Sequence, residues 1–399
     1  MKHSILFVDD EINLIQGLKR SLRSISAEYD LFFALSGPEA LDILAANQVE
    51  LIITDIRMPI MDGGELLEIV REKYPQVIRF VLSGSTDQES SLRASRIAHQ
   101  FITKPCETNR LIEIVNHSLN LRALQSNPRQ RKVITSINKL PSLPSLYIQL
   151  VNEINLPEPN IKKISDTIAN DITMTAKTLQ LVNSAFYGLP SKISNLQHAV
   201  SVLGINTLRS IVLFQGVFSE YEKGAGSPIS LEKLWFHSIG VGNLARHLAR
   251  KVGCDARTMD DAQVAGVMHD IGKLIQINIP GFYSQLRLKV SEGFLPLNAE
   301  FSLIGTSHAE LGAYLLGIWG LPDSIVQAVA FHHVPSLQIE SAFSPLSAVH
   351  IANAYLNEIK EPKQEVTSLS LDLRYIESIK TVNTVGSWLD LCREFSAIA

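Results

Sequence analysis

Five short apolar runs punctuate the first hundred residues, at 4–8, 30–34, 50–54, 78–82 and 99–103, and helical spacing fills the segments between them. Ile12, Ile15, Leu18 and Leu22, for example, fall on one helix face. Ser36-Gly37-Pro38-Glu39 marks a helix start, with Ser36 as N-cap, Pro38 in the first turn and an acid near the positive helix end. Strands that alternate with helices imply a parallel sheet covered on both faces. The ends of the runs carry the chemistry. Ile5-Leu6-Phe7-Val8 ends in Asp9-Asp10, and Leu51-Ile52-Ile53-Thr54 ends in Asp55. Phe80-Val81-Leu82 ends in Ser83, and Phe101-Ile102-Thr103 ends in Lys104-Pro105. C-terminal ends of parallel strands converge on one edge, so these groups are expected to share a site. Three acids suit a hard divalent cation such as Mg²⁺, which prefers oxygen ligands. A lysine and a hydroxyl then stand ready for the oxygens of a phosphoryl group on the remaining carboxylate.

These residues give residues 1 to about 120 a clear family likeness. The segment resembles the receiver domain of two-component response regulators, and all five signature positions match. The resemblance implies the strand order 2-1-3-4-5 and Asp55 as phospho-acceptor. It also implies Mg²⁺ held by Asp9, Asp10, Asp55 and the Arg57 backbone carbonyl. Lys104 would pair with the phosphoryl group, Ser83 would hydrogen-bond to it, and Phe101 would be the switch aromatic. Acids at strand ends can instead merely cap the following helices. One acid is explained that way; five chemically matched residues at four strand ends are not.

A chain of 399 residues exceeds the size at which one core stops growing, so two domains are expected. The net charge of −4 gives no general attraction to nucleic acid or anionic membranes. Cys106, Cys254 and Cys392 lie far apart without a CxxC pair, as expected in a reducing cytosol. No apolar stretch is long enough to span a bilayer, and the N-terminus does not read as a signal peptide, so a cytoplasmic location is expected.

The expected organisation is a receiver at 1–121, a linker at 122–132, a helical domain at 133–356 and a helical extension at 357–399. A last receiver helix is expected from Glu107, carrying Leu111, Ile114, Val115 and Leu119, before Asn127-Pro128 and the basic cluster through Lys132. Beyond residue 133 strand alternation fades and helical periodicity dominates. Seven of the eleven histidines lie between 237 and 350. His237, His269-Asp270, His308 and His332-His333 could converge from separate helices on one or two transition metals. Lys273 would share a helix face with His269 if that helix continues, ready for a phosphate or a helix end. His198, His247 and His350 have no comparable pattern.

This constellation resembles the HD superfamily of metal-dependent phosphohydrolases, and more closely its HDOD branch. Leu140-Pro141-Ser142-Leu143-Pro144, the segment 170–177, Leu181–Tyr187, Leu234–Ser238 and Leu316–Pro322 carry the likeness. The resemblance implies a signalling output that acts mainly through protein interaction. The alternative it implies is hydrolysis of cyclic dinucleotides at an Fe, Mn or Zn site. Asn353 stands where hydrolytic relatives have a further aspartate, and a neutral amide is a poorer ligand and no base. The enzyme question therefore stays open, with the sequence leaning against activity. The implied partners are a sensor histidine kinase or phosphotransfer protein and downstream signalling proteins, with a homodimer allowed. Neither direct nucleic-acid contact nor a membrane is expected: no short basic helix-turn-helix segment is present.

Overall fold

The computed structural model describes residues 2–25, 29–83, 97–115 except 105, 108 and 113, 145–213 except 155, 157, 170–173, 176, 177, 180–192, 206 and 210, 227–338, 342–359, 371–379 and 385–398. The chain divides into two units. In the first, β1 (His3–Val8), β2 (Tyr29–Ala34), β3 (Leu51–Asp55), β4 (Ile78–Ser83) and β5 (Gln100–Thr103) form one parallel sheet. The order is β2-β1-β3-β4-β5, as the resemblance implied. Helices α1 (Ile12–Ser21), α2 (Gly37–Ala46) and α3 (Gly63–Lys73) form the crossovers. Ile5, Leu6, Phe7 and Val8 are consecutive and all buried, as a sheet covered on both faces demands. Each such side chain contributes roughly 1.5–3 kcal/mol when fully buried.

The local signals act as read. Ser36 Oγ accepts from the Glu39 amide at the start of α2. Asp62 and Glu65 form a capping box at the start of α3, fixing the chain direction beyond Asp55. Ile12 corrects the expected α1 face: Ile15 and Leu22 are buried, but Ile12 is 54 % exposed. It is the first residue of α1, flanked by exposed Glu11 and Asn13 at the helix N-terminus. Leu111 and Val115 are buried, and the Leu111 amide donates to the Glu107 carbonyl. Leu119 and the linker lie outside the described residues, as do Leu140–Pro144 and Leu181–Tyr187.

In the second unit the described residues form helices joined by turns, with no strand. The helices beyond the receiver sheet are α4 (Ser145–Ile154), α5 (Ile161–Ala169), α6 (Leu196–Leu203), α7 (Leu231–Lys251), α8 (Ala256–Met268), α9 (Gly272–Ile277), α10 (Phe282–Ser291), α11 (Pro296–Ile304), α12 (His308–Ile318), α13 (Asp323–Phe331), α14 (Pro345–Ile359), α15 (Leu373–Ser378) and α16 (Val385–Ile398), of which Ser145 and Tyr314–Ile318 are grouped with the first unit. Helices α7, α8, α13 and α14 pack against one another and make the centre of this unit. The last two helices dock on it: Trp388 stacks on Phe343, and the Tyr375 hydroxyl lies 2.9 Å from Ser347 Oγ. Helix α14 runs past residue 356, because no breaker precedes Glu361-Pro362. A boundary drawn at 356 therefore cuts a continuous helix. No helix among the described residues is long and apolar enough to cross a membrane.

Candidate functional site

Strand register builds the first site. Val8 pairs with Thr54 across β1 and β3, so Asp9 and Asp55 lie at adjacent strand ends. Lys104, just past β5, reaches back to both: its Nζ lies 2.8 Å from Asp9 Oδ2 and 2.6 Å from Asp55 Oδ1. The remaining oxygens accept backbone amides, Asp9 Oδ1 from Glu11 at 2.9 Å and Asp55 Oδ2 from Arg57 at 3.1 Å. Burial works against the Lys104 charge, but the two carboxylates outweigh it and hold its pKa above the ordinary lysine value. Gly63 is required here, since a Cβ would stand 2.1 Å from the Asp55 carbonyl oxygen. Asp10 is exposed at the mouth of the same edge. Ser83 ends β4 and Phe101 is the second residue of β5, while their side chains lie outside the described residues. Asp9 and Asp55 bring two carboxylates to one edge around Lys104, with Asp10 next along the chain, and oxygen donors of this kind suit a hard divalent cation.

The second site gathers every histidine singled out in the sequence. Ring centroids run from His237 to His269 (5.2 Å), to His332 (5.0 Å), and on to His308 (5.5 Å) and His333 (4.0 Å). Asp270 stands between two groups of donors. Its Oδ2 is 3.4 Å from His269 Nε2, and its Oδ1 is 3.2 Å from His308 Nε2. Asn353 joins at the edge, its Oδ1 accepting from His237 Nε2 at 3.0 Å. Helix α8 stops at Met268, so His269-Asp270-Ile271 forms a turn before α9. Lys273 consequently does not continue the His269 face; its Nζ pairs with Asp270 Oδ2 at 2.7 Å. Gly272 lets α9 approach α12, since a Cβ there would meet the His308 carbonyl oxygen at 1.9 Å.

Two buried nitrogens point to a ligand. His269 Nδ1 donates to the Gly266 carbonyl at 2.7 Å, and His332 Nδ1 to the Val329 carbonyl at 2.8 Å. Each ring thereby directs Nε2 inward, and neither Nε2 has a hydrogen-bond partner. Backbone carbonyls fix metal-binding imidazoles in this tautomer. The donors fall into two triplets, His308 with His332 and His333, and His237 with His269 and Asp270. That set fits one or two transition metals.

Opposing this, the centre already balances its own charge. Glu300, which the sequence reading missed, lies buried on α11 and accepts from the His308 amide at 2.7 Å and from His308 Nδ1 at 2.9 Å. Gln276 Nε2 also donates to it at 3.0 Å. Burial alone would lower the His308 pKa, but Glu300 and Asp270 overcome it and push the value up to about 9. His333 moves the other way, down to about 2, because it is buried and faces charged His308. Two acids, Asp270 and Glu300, thus offset two cations, Lys273 and His308. The only signal of Glu300 in the sequence was a lone acid at an apolar helix position, between Ala299 and Phe301. His350, as expected, is structural: it bridges the His332 carbonyl and the Asp372 amide.

Family comparison agrees with both halves of this geometry. The receiver domain model of response regulators matches residues 5–116, and the HDOD domain model matches residues 140–335. An uncharacterized protein of Treponema pallidum (strain Nichols) is 25% identical over 279 residues, covering 66% of this chain and 52% of that protein. The hydrogenase transcriptional regulatory protein HoxA of Cupriavidus necator is 34% identical over 126 residues, covering 31% of this chain and 26% of that protein. The chain thus spans about half or less of the length of these relatives. An HDOD domain protein of unknown function from Geobacter sulfurreducens, 24% identical, superposes with a TM-score of 0.54 over 71% of this chain and 95% of its own; that likeness bears on the fold alone. The two domain matches identify the chain as a receiver–HDOD protein, a response regulator receiver domain followed by an HDOD domain.

Proposed function

We propose that the chain is a phosphorelay response regulator in which Asp55 accepts a phosphoryl group from a histidine kinase or phosphotransfer protein. The observation that carries this reading is the Lys104 ammonium lying between Asp9 and Asp55 at the C-terminal sheet edge. An Asp55 oxygen attacks the phosphorus of the donor's phosphohistidine, the P–N bond breaks, and the imidazole leaves with a proton. Lys104 then exchanges its contact with Asp55 for the phosphoryl oxygens, and Ser83 supplies a hydroxyl to them. Asp9, Asp10, Asp55 and the Arg57 carbonyl are the groups that would hold Mg²⁺, which supplies charge neutralisation at the phosphoryl oxygens. Phe101 follows the hydroxyl inward and alters the surface near the linker.

The HDOD domain, read as residues 133–356, then acts mainly through protein interaction in the cytoplasm. The internal charge balance around Asp270 and the Asn353 amide support this reading. A second reading, a metal-dependent phosphodiesterase using Fe, Mn or Zn, draws on the His269 and His332 Nε2 atoms, which are buried and make no hydrogen bond. The primary test is intact mass after incubation with acetyl phosphate and Mg²⁺. One phosphoryl adduct is expected on the wild-type chain and none on Asp55→Asn; equal labelling of both would refute the assignment.

A further inference from the structure

The turn that carries His332 and His333 is fastened from outside the histidine centre. His332 directly follows α13, and its carbonyl, past the helix end, needs a partner from elsewhere. His350 Nδ1, on α14, lies 2.7 Å from that carbonyl, and the Asp372 amide donates to His350 Nε2 at 2.9 Å. A backbone amide only donates, so Nε2 is the bare nitrogen and the His350 proton sits on Nδ1, directed at His332. Asp372 takes a second hold beyond His333: its Oδ2 accepts from the Ser336 hydroxyl and, at 3.3 Å, from the Ser336 amide. Its Oδ1 caps α15 by accepting from the Tyr375 amide at 3.2 Å. The Tyr375 hydroxyl, 2.9 Å from Ser347 Oγ, docks α15 onto α14. His332, His350, Ser347 and Tyr375 are all buried, where a hydrogen bond is stronger than in water.

A bond to the His332 carbonyl alone would satisfy a helix end and do nothing more. Here both holds end on Asp372 and straddle His333, through His350 on one side and Ser336 on the other. His333 Nε2 in turn lies 3.0 Å from His308 Nε2, and the His332 ring is set by its Nδ1 bond to Val329. The HDOD match ends at residue 335, so His350 and Asp372 are parts that the family model does not include. We propose that Asp372 and His350 are positioning residues for the histidine centre, which keeps its geometry only while the C-terminal extension is docked. The extension is thereby a control element: a change that draws α15 away loosens His332 and His333 together. This holds whether the centre serves a metal or a protein partner.

Long-range ¹H–¹⁵N spectra of the chelator-treated full chain, labelled at histidine, test this, because they separate a protonated ring nitrogen from a bare one. The wild type is expected to show His332 with its proton on Nδ1, assigned by the signal lost in His332→Gln. Asp372→Pro removes the amide donor without straining the backbone, since φ is already −75° there. Asp372→Pro and His350→Ala are expected to turn the single His332 tautomer into a mixture and to shift His333. Amide exchange across residues 333–336 should rise on the order of 10-fold, as the loss of a net hydrogen bond implies. His350→Asn keeps a donor near the Nδ1 position and is expected to recover part of the His332 signal. His99, in the receiver, is the unchanged reference. Residues that only stabilise the fold would lower the melting temperature and leave the His332 and His333 signals in place well below the melt. Unchanged His332 and His333 signals in folded Asp372→Pro and His350→Ala overturn the proposal, as does a wild-type His332 protonated on Nε2. Should Asp372→Pro fail to fold, Ser336→Ala reads the second hold at an exposed position, and an unmoved His333 signal there refutes it. Metal content and Asp55 phosphorylation are read separately and do not depend on these outcomes.

Discussion

Replacing Glu300 should unfasten the histidine centre from the inside. The carboxylate is buried and accepts from the His308 amide, His308 Nδ1 and Gln276 Nε2. Glu300→Ala leaves those donors without partners and His308 without its main counter-charge. Breaking a buried charged pair costs about 3–5 kcal/mol. The pH dependence gives an independent magnitude. His308 is held near 9 in the fold against 6.5 unfolded, so the protonated form is worth about 3 kcal/mol. This stability is fully present below pH 6.5 and is lost as pH rises through about 9. Glu300→Gln keeps the volume and one acceptor, so a smaller loss of about 1–3 kcal/mol is expected. Tryptophan emission is a domain-specific reporter, because Trp235, Trp319 and Trp388 all lie outside the receiver segment. In chelator-treated protein, Glu300→Ala should lower the fluorescence-detected melting temperature by on the order of 10 °C. It should also flatten the alkaline decline in stability. A melt within a degree or two of wild type, with that decline unchanged, would refute the claim that Glu300 holds His308.

Other expectations follow from the same geometry. Gly63→Ala should cost about 1–3 kcal/mol in receiver stability by overpacking against the Asp55 carbonyl, and should slow phosphorylation by acetyl phosphate; hydrogen exchange and labelling rates read the two effects. His99 is buried against Arg79, and burial followed by the Arg79 charge holds its pKa well below 6.5. Its contribution to receiver stability is therefore complete above pH 6.5 and falls as pH drops from there toward the folded value, by up to about 1.4 kcal/mol per pH unit. Acid titration of unfolding, wild type against His99→Gln, measures that slope. Under the second reading of the HDOD centre, metal analysis finds stoichiometric iron, manganese or zinc that is lost in His269→Ala; under the interaction reading, neither sample holds metal.

The receiver edge was legible because strand ends in a parallel sheet have fixed neighbours. Asp9, Asp55 and Lys104 could be brought together from their order along the chain, and the structure places both carboxylates within hydrogen-bond reach of the Lys104 ammonium. The histidine cluster was legible as a set but not as a geometry. Nothing in the sequence marks the turn at His269–Ile271 that takes Lys273 off the histidine face and onto Asp270. Glu300 was hidden for a related reason: one acid in an amphipathic helix reads as a solvated position until the facing helix supplies His308. Ile12 failed in the opposite sense, because periodicity assigns a face but not how much of it is covered at the helix end.

The central claim is that Asp55 is the residue that accepts the phosphoryl group. Borohydride reduction of the phosphorylated full chain, followed by peptide sequencing by mass spectrometry, tests it most directly, since reduction converts an aspartyl phosphate to homoserine. The account predicts homoserine at position 55 alone, with Asp9 and Asp10 unmodified. Homoserine at position 9 or 10, or a stable phosphate ester on a serine or threonine instead, would contradict it.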